Sequence, residues 1–419
     1  MRIAIIASGS RGDIEPYLAL GKGLDRAGHV VRFIAHENFA GLVKAHGVDF
    51  WPIEGNTQDV AQSAEMRELL EKGNFLAILS KMGKDARDNA IAFAKGGLAA
   101  CEGMELIIAG LGGMFIGVAL AEKLNIQFMQ AHYVPFNPTR AYPSALFPQM
   151  PALFNGSLNR LSYKLTQQMM WQGFRSADKV ARQQVLGLPA MSFRGPYGSE
   201  RFTQNPVLYC YSPAVIPPPA DWPDRARVTG YWFLDPVDEW TPPADLLEFL
   251  RAGRPPIFIG FGSMSSRHPE ALTQTILQAL GRTRQRAIML SGWGSLRTAN
   301  LPDSVYTVDS IPFTWLFPQV AAVVHHGGAG TTSAGLRAGV PSVIVPFFAD
   351  QPFWGQRVAD LGVGPAPIPR KKLTADRLAQ AIEIAVTDQA MRECAAELGA
   401  RIRAEDGVGC AIEVINQLS

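Results

Sequence analysis

The sequence predicts an α/β protein made of two doubly wound, Rossmann-like domains. Three observations carry that prediction. Short apolar runs of the kind buried parallel strands show recur along the chain, each followed by a Gly-rich turn or a helical stretch. The alternation runs from Arg2, breaks at a proline-crowded interval and starts again at Pro256. And 419 residues, 47% apolar and 18% charged, suffice for two or three cores of ordinary size.

The first half reads in order. Arg2–Ala7 is an apolar strand, Ser8–Asp13 a turn, and Pro16–Ala27 a helix that Gly28 stops. Val30–Ala35 is the second strand, Phe39–Ala45 a helix and Val48–Ile53 the third strand. Residues 60–100 are largely helical. Glu105–Gly110 is a strand, with a helix from the following loop to Leu124, and Ile126–Gln130 is another strand. After it come His132, Tyr133 and Phe136 and a loop carrying Pro138, Pro143, Pro148 and Pro151. Leu158–Leu186 is helical, and Pro206–Tyr211 is a strand. Pro213 to Pro243 then holds eight prolines, so a linker is expected near 215–240. Within it Val228–Phe233 is expected as a strand of the second domain.

In the second half, strands are expected at Pro256–Phe261, Arg286–Leu290, Ser304–Val308, Val320–Val324 and Ser342–Val345, and a terminal helix at Cys410–Leu418. The resulting division is 1–215, 216–400 and 401–419.

Composition excludes several classes. A net charge of +2 gives no reason to expect nucleic acid. Cys101, Cys210, Cys394 and Cys410 are far apart and fit no zinc spacing, so they read as reduced thiols in a cytoplasm. No secretory leader is expected, since Met1–Ala7 already reads as a strand. The uncharged segment Leu106–Ala121 holds four glycines and falls short of a spanning helix.

The most informative stretch is His325-His326-Gly327-Gly328-Ala329-Gly330-Thr331-Thr332, between an apolar strand and a helical run starting near Ser333. Glycines let a backbone approach closely, and the free amides of a helix start attract an anion. Thr331 and Thr332 add hydroxyls at the cap, and the two histidines can donate to a diphosphate. The other turns that follow strands in this half should gather on the same sheet edge. Ser263 can hold phosphate, Trp293 offers a face worth roughly 1–3 kcal/mol of base stacking, and the backbone near Ile311 and Pro312 can read a base edge. Asp350 and Gln351 pair an acceptor with an amide, which suits vicinal sugar hydroxyls. Together with His326, Gly328, Gly330, Thr331 and Thr332 they specify a nucleotide diphosphate sugar. A rival dinucleotide site after the first strand, with Glu37 as the ribose acid, fails on spacing, because Gly9-Ser-Arg-Gly12 is not G-x-G-x-x-G.

Residues Ser310–Trp354, centred on that stretch, resemble the signature of the UDP-glycosyltransferases, glycosyltransferase family 1. They look closest to the bacterial sterol glucosyltransferase-like branch. The Gly9–Leu20 segment resembles that branch too, and the glycopeptide-antibiotic glycosyltransferases. The resemblance spans essentially the whole chain. It implies a GT-B fold, two Rossmann-like domains facing across a cleft, with the acceptor on the first domain, the nucleotide sugar on the second and the terminal helix crossing back to the first. It places the family's phosphate-binding His on His326 and its sugar-binding pair on Asp350 and Gln351. Two departures stand out. Ala334 replaces the ribose-binding Glu of plant relatives, and Ser310 replaces their stacking Trp, which is why Trp293 is favoured. The membrane-binding domains that eukaryotic sterol enzymes add are not expected in this chain.

By the same resemblance Asp13 is the catalytic base for an inverting displacement. An N-cap role at a helix starting at Ile14 is its structural alternative. The acceptor set expected is apolar: Met114, Phe115, His132, Tyr133, Phe136, Trp171 and Phe174, with Tyr142, Phe147 and Met150 in the loop. The co-substrate is a UDP-sugar, by default UDP-glucose, with no cofactor and no metal. The acceptor is a sterol, terpenoid or phenolic alcohol. A dTDP-deoxysugar transferase acting on a polyketide or glycolipid, or a silent nucleotide-sugar binder, stays open. His29 and His36 read as structural. Between Arg160 and Arg201 seven basic residues, Arg160, Lys164, Arg175, Lys179, Arg182, Arg194 and Arg201, face only Asp178 and Glu200. That excess suits either a solvated face or peripheral contact with the inner face of a membrane.

Overall fold

The computed structural model describes residues 1–54, 63, 65–66, 68–69, 75–146, 156–236, 240–262, 269–291 and 301–418. Contacts divide the chain into two compact units. One is Met1–Val60, Asn74–Val237 and Asp406–Ser419, and the other is Ala61–Gly73 and Asp238–Glu405.

The first unit runs β1 (Arg2–Ile6), α1 (Arg11–Arg26), β2 (Val30–His36), α2 (Ala40–Ala45), β3 (Asp49–Ile53), α3 (Phe75–Asp88), α4 (Ala90–Cys101), β4 (Leu106–Ala109), α5 (Met114–Leu124), β5 (Gln127–His132), α6 (Gly156–Ala181), β6 (Val207–Tyr209) and β7 (Ala226–Val228). Its sheet is β3-β2-β1-β4-β5-β6-β7, and every neighbouring pair is parallel. The order reverses between β1 and β4, so the loops after these two strands part at the carboxyl edge and leave a crevice there. The central strands are apolar because helices cover both faces, and β4, Leu106 to Ala109, is fully buried.

α1 starts at Arg11, so Pro16, expected to open the helix, falls inside it. The cap at Ser10 and the carboxylate of Asp13 start it more than a turn earlier. β5 continues to His132, two residues beyond the strand end expected at Gln130. The segment at Val228 also differs from expectation. β7 ends there and is the last strand of the first sheet, pairing in parallel with β6.

The second unit runs α7 (Ala244–Arg251), β8 (Ile257–Gly260), α8 (Pro269–Thr283), β9 (Ala287–Leu290), β10 (Val305–Val308), β11 (Ala322–His325), α9 (Ala329–Ala338), β12 (Ser342–Ile344), α10 (Gln351–Asp360), α11 (Ala375–Thr387) and α12 (Gln389–Arg403). Its parallel sheet is β10-β9-β8-β11-β12, reversing between β8 and β11.

The last helix, α13 (Gly407–Asn416), packs on α1 of the first unit. Close approach requires Gly23, where an added Cβ would lie 2.4 Å from Val408 Cγ1. The indole of Trp232 donates to Gly407 O (3.1 Å), and His29 Nε2 meets Asn416 Oδ1 (2.9 Å). His29 and His36 are both buried, and His36 packs edge-on against Phe93. Among the described residues no helix is long and apolar enough to cross a membrane.

Candidate functional site

In the first unit the reversal point gathers the β1–α1 turn, the β4–α5 turn and the end of β5. The turns approach closely because they are glycine. A Cβ at Gly112 would sit 2.2 Å from Ser8 O, and one at Gly113 2.8 Å from Ile6 Cγ2. Gly9 adopts φ +141°, and a Cβ there would fall 2.4 Å from Asp13 Oδ2.

Asp13 is not the helix cap. Ser10 is, and Asp13 stands three residues on, with its Oδ2 accepting from Ser10 N (2.7 Å) and Ser10 Oγ (2.9 Å). The Tyr133 hydroxyl also donates to this carboxylate. Burial raises the Asp13 pKa above the usual carboxylate value, opposed by the Ser10 amide, the Tyr133 hydroxyl and the Ser10 hydroxyl. The carboxyl is therefore both held in place and a better proton acceptor than a free Asp. Beneath it Tyr17 donates to Ala131 O (2.6 Å), tying α1 to β5. Sequence reasoning missed Ser10, although Ser10-x-x-Asp13 has the capping-box spacing.

The expected acceptor residues separate into two groups. Met114, Phe136, Trp171 and His132 are buried, so their role is packing. Phe115 is nearly as buried, 5.3 Å from the Trp171 ring and 5.8 Å from Phe174. His132 packs against Phe136 with the rings tilted by 43° and 4.9 Å apart, meets Gln130 Oε1 (3.2 Å) and is neutral, with burial pushing its pKa down to about 3. Tyr133 and Phe174 keep surface. Loop residues Phe147 and Met150 lie outside the described residues, while Tyr142 is partly exposed.

In the second unit the loops after β8 and β11 meet at the other reversal point. The helix after the double histidine begins at Ala329, four residues before the expected start, with Gly328 as its N-cap. The first intrahelical bond runs from Thr332 N to Gly328 O (2.9 Å), so the amides of Ala329, Gly330 and Thr331 precede it and point out of the helix start. Thr332 is buried, and its hydroxyl donates back to Gly328 O (2.9 Å). That is a correction: the Thr332 hydroxyl is spent inside the helix, while Thr331, in the first turn of the same helix, is half-exposed.

The two histidines also divide. His325 ends β11 fully buried, and its Nδ1 accepts the Gly327 amide (3.1 Å), which fixes the turn where Gly327 takes φ +88°. His326 is half-buried against the Gly262 and Gly328 backbones. A Cβ at Gly328 would lie 2.5 Å from His326 Nε2, and one at Gly262 3.2 Å from Cε1. Burial pushes the His326 pKa down to about 4, so the ring is neutral at pH 7. Its Nδ1 has no protein partner among the described residues. A neutral imidazole with an unmatched nitrogen beside free helix amides suits a phosphate oxygen.

Asp350 caps α10, and its Oδ2 accepts the Trp354 indole N–H (2.9 Å). Gln351 is buried, and its Oε1 accepts from Phe347 N (2.8 Å) and Phe348 N (3.2 Å). Its carbonyl thus shapes the loop, a role the sequence reading did not assign. Ala349, just before Asp350, takes φ +54°, a conformation unfavourable for a residue with a Cβ. Ile311 is buried, and the Pro312 carbonyl accepts the amides of Trp315 and Leu316. Ala334 packs against the apolar cluster of this unit. Ser263 and Trp293 lie outside the described residues.

Residues 3–143 match the glycosyltransferase family 28 N-terminal domain, and residues 275–418 the erythromycin biosynthesis protein CIII-like C-terminal domain. Sterol 3-beta-glucosyltransferases of Neosartorya fischeri and Aspergillus fumigatus are each 38% identical over 430 residues, covering 99% of this chain and 29% and 30% of their own length. The chain therefore spans under a third of these relatives. Both are fungal, so the bacterial assignment draws no support from them. Among solved structures, the kitacinnamycin glycotransferase superposes with a TM-score of 0.72 at 19% identity, covering 99% of this chain and 98% of that one.

Proposed function

The chain belongs to the GT-B glycosyltransferases, joining a family 28 N-terminal domain to an EryCIII-like C-terminal domain, and from that premise we propose that it transfers glucose from UDP-glucose to a hydroxyl of an apolar alcohol, with inversion at the anomeric carbon. The observation that carries this reading is the half-buried carboxyl of Asp13, held by Ser10 at the reversal point of the first sheet.

In this mechanism the acceptor oxygen gives its proton to Asp13 as it bonds to the anomeric carbon. The bond from that carbon to the diphosphate oxygen breaks with its electron pair, and UDP leaves. The amides of Ala329–Thr331, the Thr331 hydroxyl and neutral His326 stabilise the charge that develops on the diphosphate, without a metal. Asp350 and the Gln351 amide meet the sugar hydroxyls, and Trp293 and Ile311 the base. Tyr133 and Phe174 contribute the apolar wall of the acceptor site. The sterol acceptor is taken over from what the fungal relatives are named for. The setting proposed for this reaction is the cytoplasm, in keeping with cysteines that fit no zinc or disulfide spacing.

The test is UDP release from UDP-glucose with and without a sterol or phenolic alcohol, with dTDP-glucose as the competing donor. Acceptor-stimulated release is expected with UDP-glucose. Release from neither donor with any acceptor would leave a silent nucleotide-sugar binder.

A further inference from the structure

We infer that the outward face of α6 is a docking surface for an anionic lipid bilayer. Leu158, Leu161 and Leu165 fall on one stripe of this helix and are 38%, 46% and 45% exposed. A folded protein gains nothing by holding three leucines in water at helical spacing unless something covers them. The stripe leads to Met169 in a groove of about 520 Å³ between α6 and α3, which Leu76 and Leu79 also line. The two helices cross closely because Gly83 meets Gly173, where a Cβ would sit 2.0 Å from the Gly173 carbonyl oxygen.

Charge selects the occupant. Arg160, Lys164, Arg175 and Lys179 of α6 are exposed, and Lys84 and Arg87 of α3 line the groove. The one acid of α6, Asp178, is buried and paired with Arg182 (3.2 Å), so it cancels none of them. Arg182 itself leaves the basic count by the same burial, and Arg201 is spent on the carbonyls of Ala121 and Ile126. On α3, Asp85 is paired with Lys81, and Asp88 closes the helix. Phe193, 62% exposed, is strapped beside α6 because Gln168 and Gln172 both donate to its carbonyl (3.0 and 2.8 Å). Arg175 lies 5.4 Å over its ring. Leucines and a phenylalanine ringed by cations match the boundary between anionic headgroups and acyl chains.

The opposite face of the same helix holds the loop after β5. Asn159 Nδ2 donates to Arg140 O (3.0 Å), Ser162 Oγ accepts from Ser144 N (2.9 Å), and Tyr163 Oη donates to Pro143 O (3.4 Å). One helix thus carries the docking stripe on one side and holds the loop of the acceptor region on the other, so docking would bring that region close to the bilayer. A role in acceptor delivery rests on the reading of an apolar acceptor; the docking itself does not.

The experiment is co-sedimentation of the full chain with vesicles of phosphatidylcholine, or of phosphatidylcholine mixed with an equal amount of phosphatidylglycerol. Binding is expected to the mixed vesicles and to weaken with salt. Leu161→Ser/Leu165→Ser and Arg160→Gln/Lys164→Gln should each lower it by about tenfold or more, while transfer to a water-soluble phenol stays unchanged, which shows the variants are folded. No binding to mixed vesicles, or wild-type binding by both double variants, overturns the proposal. So does self-association of the wild type that the leucine variant abolishes without any vesicle binding, since the face would then be a protein interface. If the vesicle results hold but no alcohol is ever glycosylated, the docking surface stands and the transferase reading falls.

Discussion

Oδ2 of Asp13 accepts both the backbone amide and the hydroxyl of Ser10, three residues before it. This couples the start of α1 to the proposed base, because the carboxylate that holds the N-cap residue Ser10 is the one that takes the proton. Burial nevertheless raises its pKa, so the charged form is held at a cost to the fold.

Asp13→Asn keeps an acceptor for the Ser10 amide and removes the charge. Turnover should fall by about 10²–10⁴ with UDP affinity nearly unchanged. Stability should move the other way. A carboxyl whose folded pKa exceeds its unfolded value of 3.8 favours folding below that value and loses this contribution as pH rises through the folded pKa. Asn is free of that loss, so Tm of the variant should exceed wild type at pH 7, and the gap should close as pH approaches 4. A Tm lowered at pH 7 would make the Asp13 carboxylate a net stabiliser.

Tyr133 donates to the same carboxylate and holds its pKa down. In Tyr133→Phe the acid limb of the pH profile of kcat/KM should move to higher pH. Activity at pH 6 should be about three- to tenfold lower, and activity at pH 8 close to wild type. A uniform loss at every pH, with no displacement of the limb, would leave Tyr133 only its acceptor-contact role, with no part in setting the Asp13 pKa.

Thr332 and His326 are close in sequence and opposite in role. The Thr332 hydroxyl is spent on Gly328 O, so Thr332→Val should cost about 1 kcal/mol of stability and leave UDP affinity within about twofold. His326→Ala should lower UDP affinity by about 10- to 100-fold, the worth of a hydrogen bond to a charged group, with little change in Tm. Calorimetric titration with UDP separates the two.

The sequence made the two sheets, their parallel strands and the anion-binding turn legible, because apolar runs and glycine turns act locally. What it concealed depends on direction. His325 and His326 are identical as letters, yet one closes β11 with its ring inward and the other lies over Gly262. Met114, His132 and Trp171 have the apolar character of a ligand wall, but burial turns them into core. Pro16 suggested a helix start, while the Ser10–Asp13 pair set an earlier one. Val228 sits among linker prolines and still extends the first sheet, since only pairing with Tyr209 identifies that edge.

Gly328 gives the most discriminating test of the phosphate site. Its backbone, φ −62° and ψ 145°, is one any residue adopts, so Ala fits the main chain there. At an N-cap Gly is clearly preferred to Ala, and Gly328→Ala should lower stability by about 1 kcal/mol. The added Cβ, however, falls 2.5 Å from His326 Nε2, and the ring must move. UDP affinity should therefore drop about as far as in His326→Ala. The double variant should lose no more than either single one, because both remove the same contact. If the two losses add, Gly328 serves the diphosphate through its own backbone approach, and His326 acts independently of it.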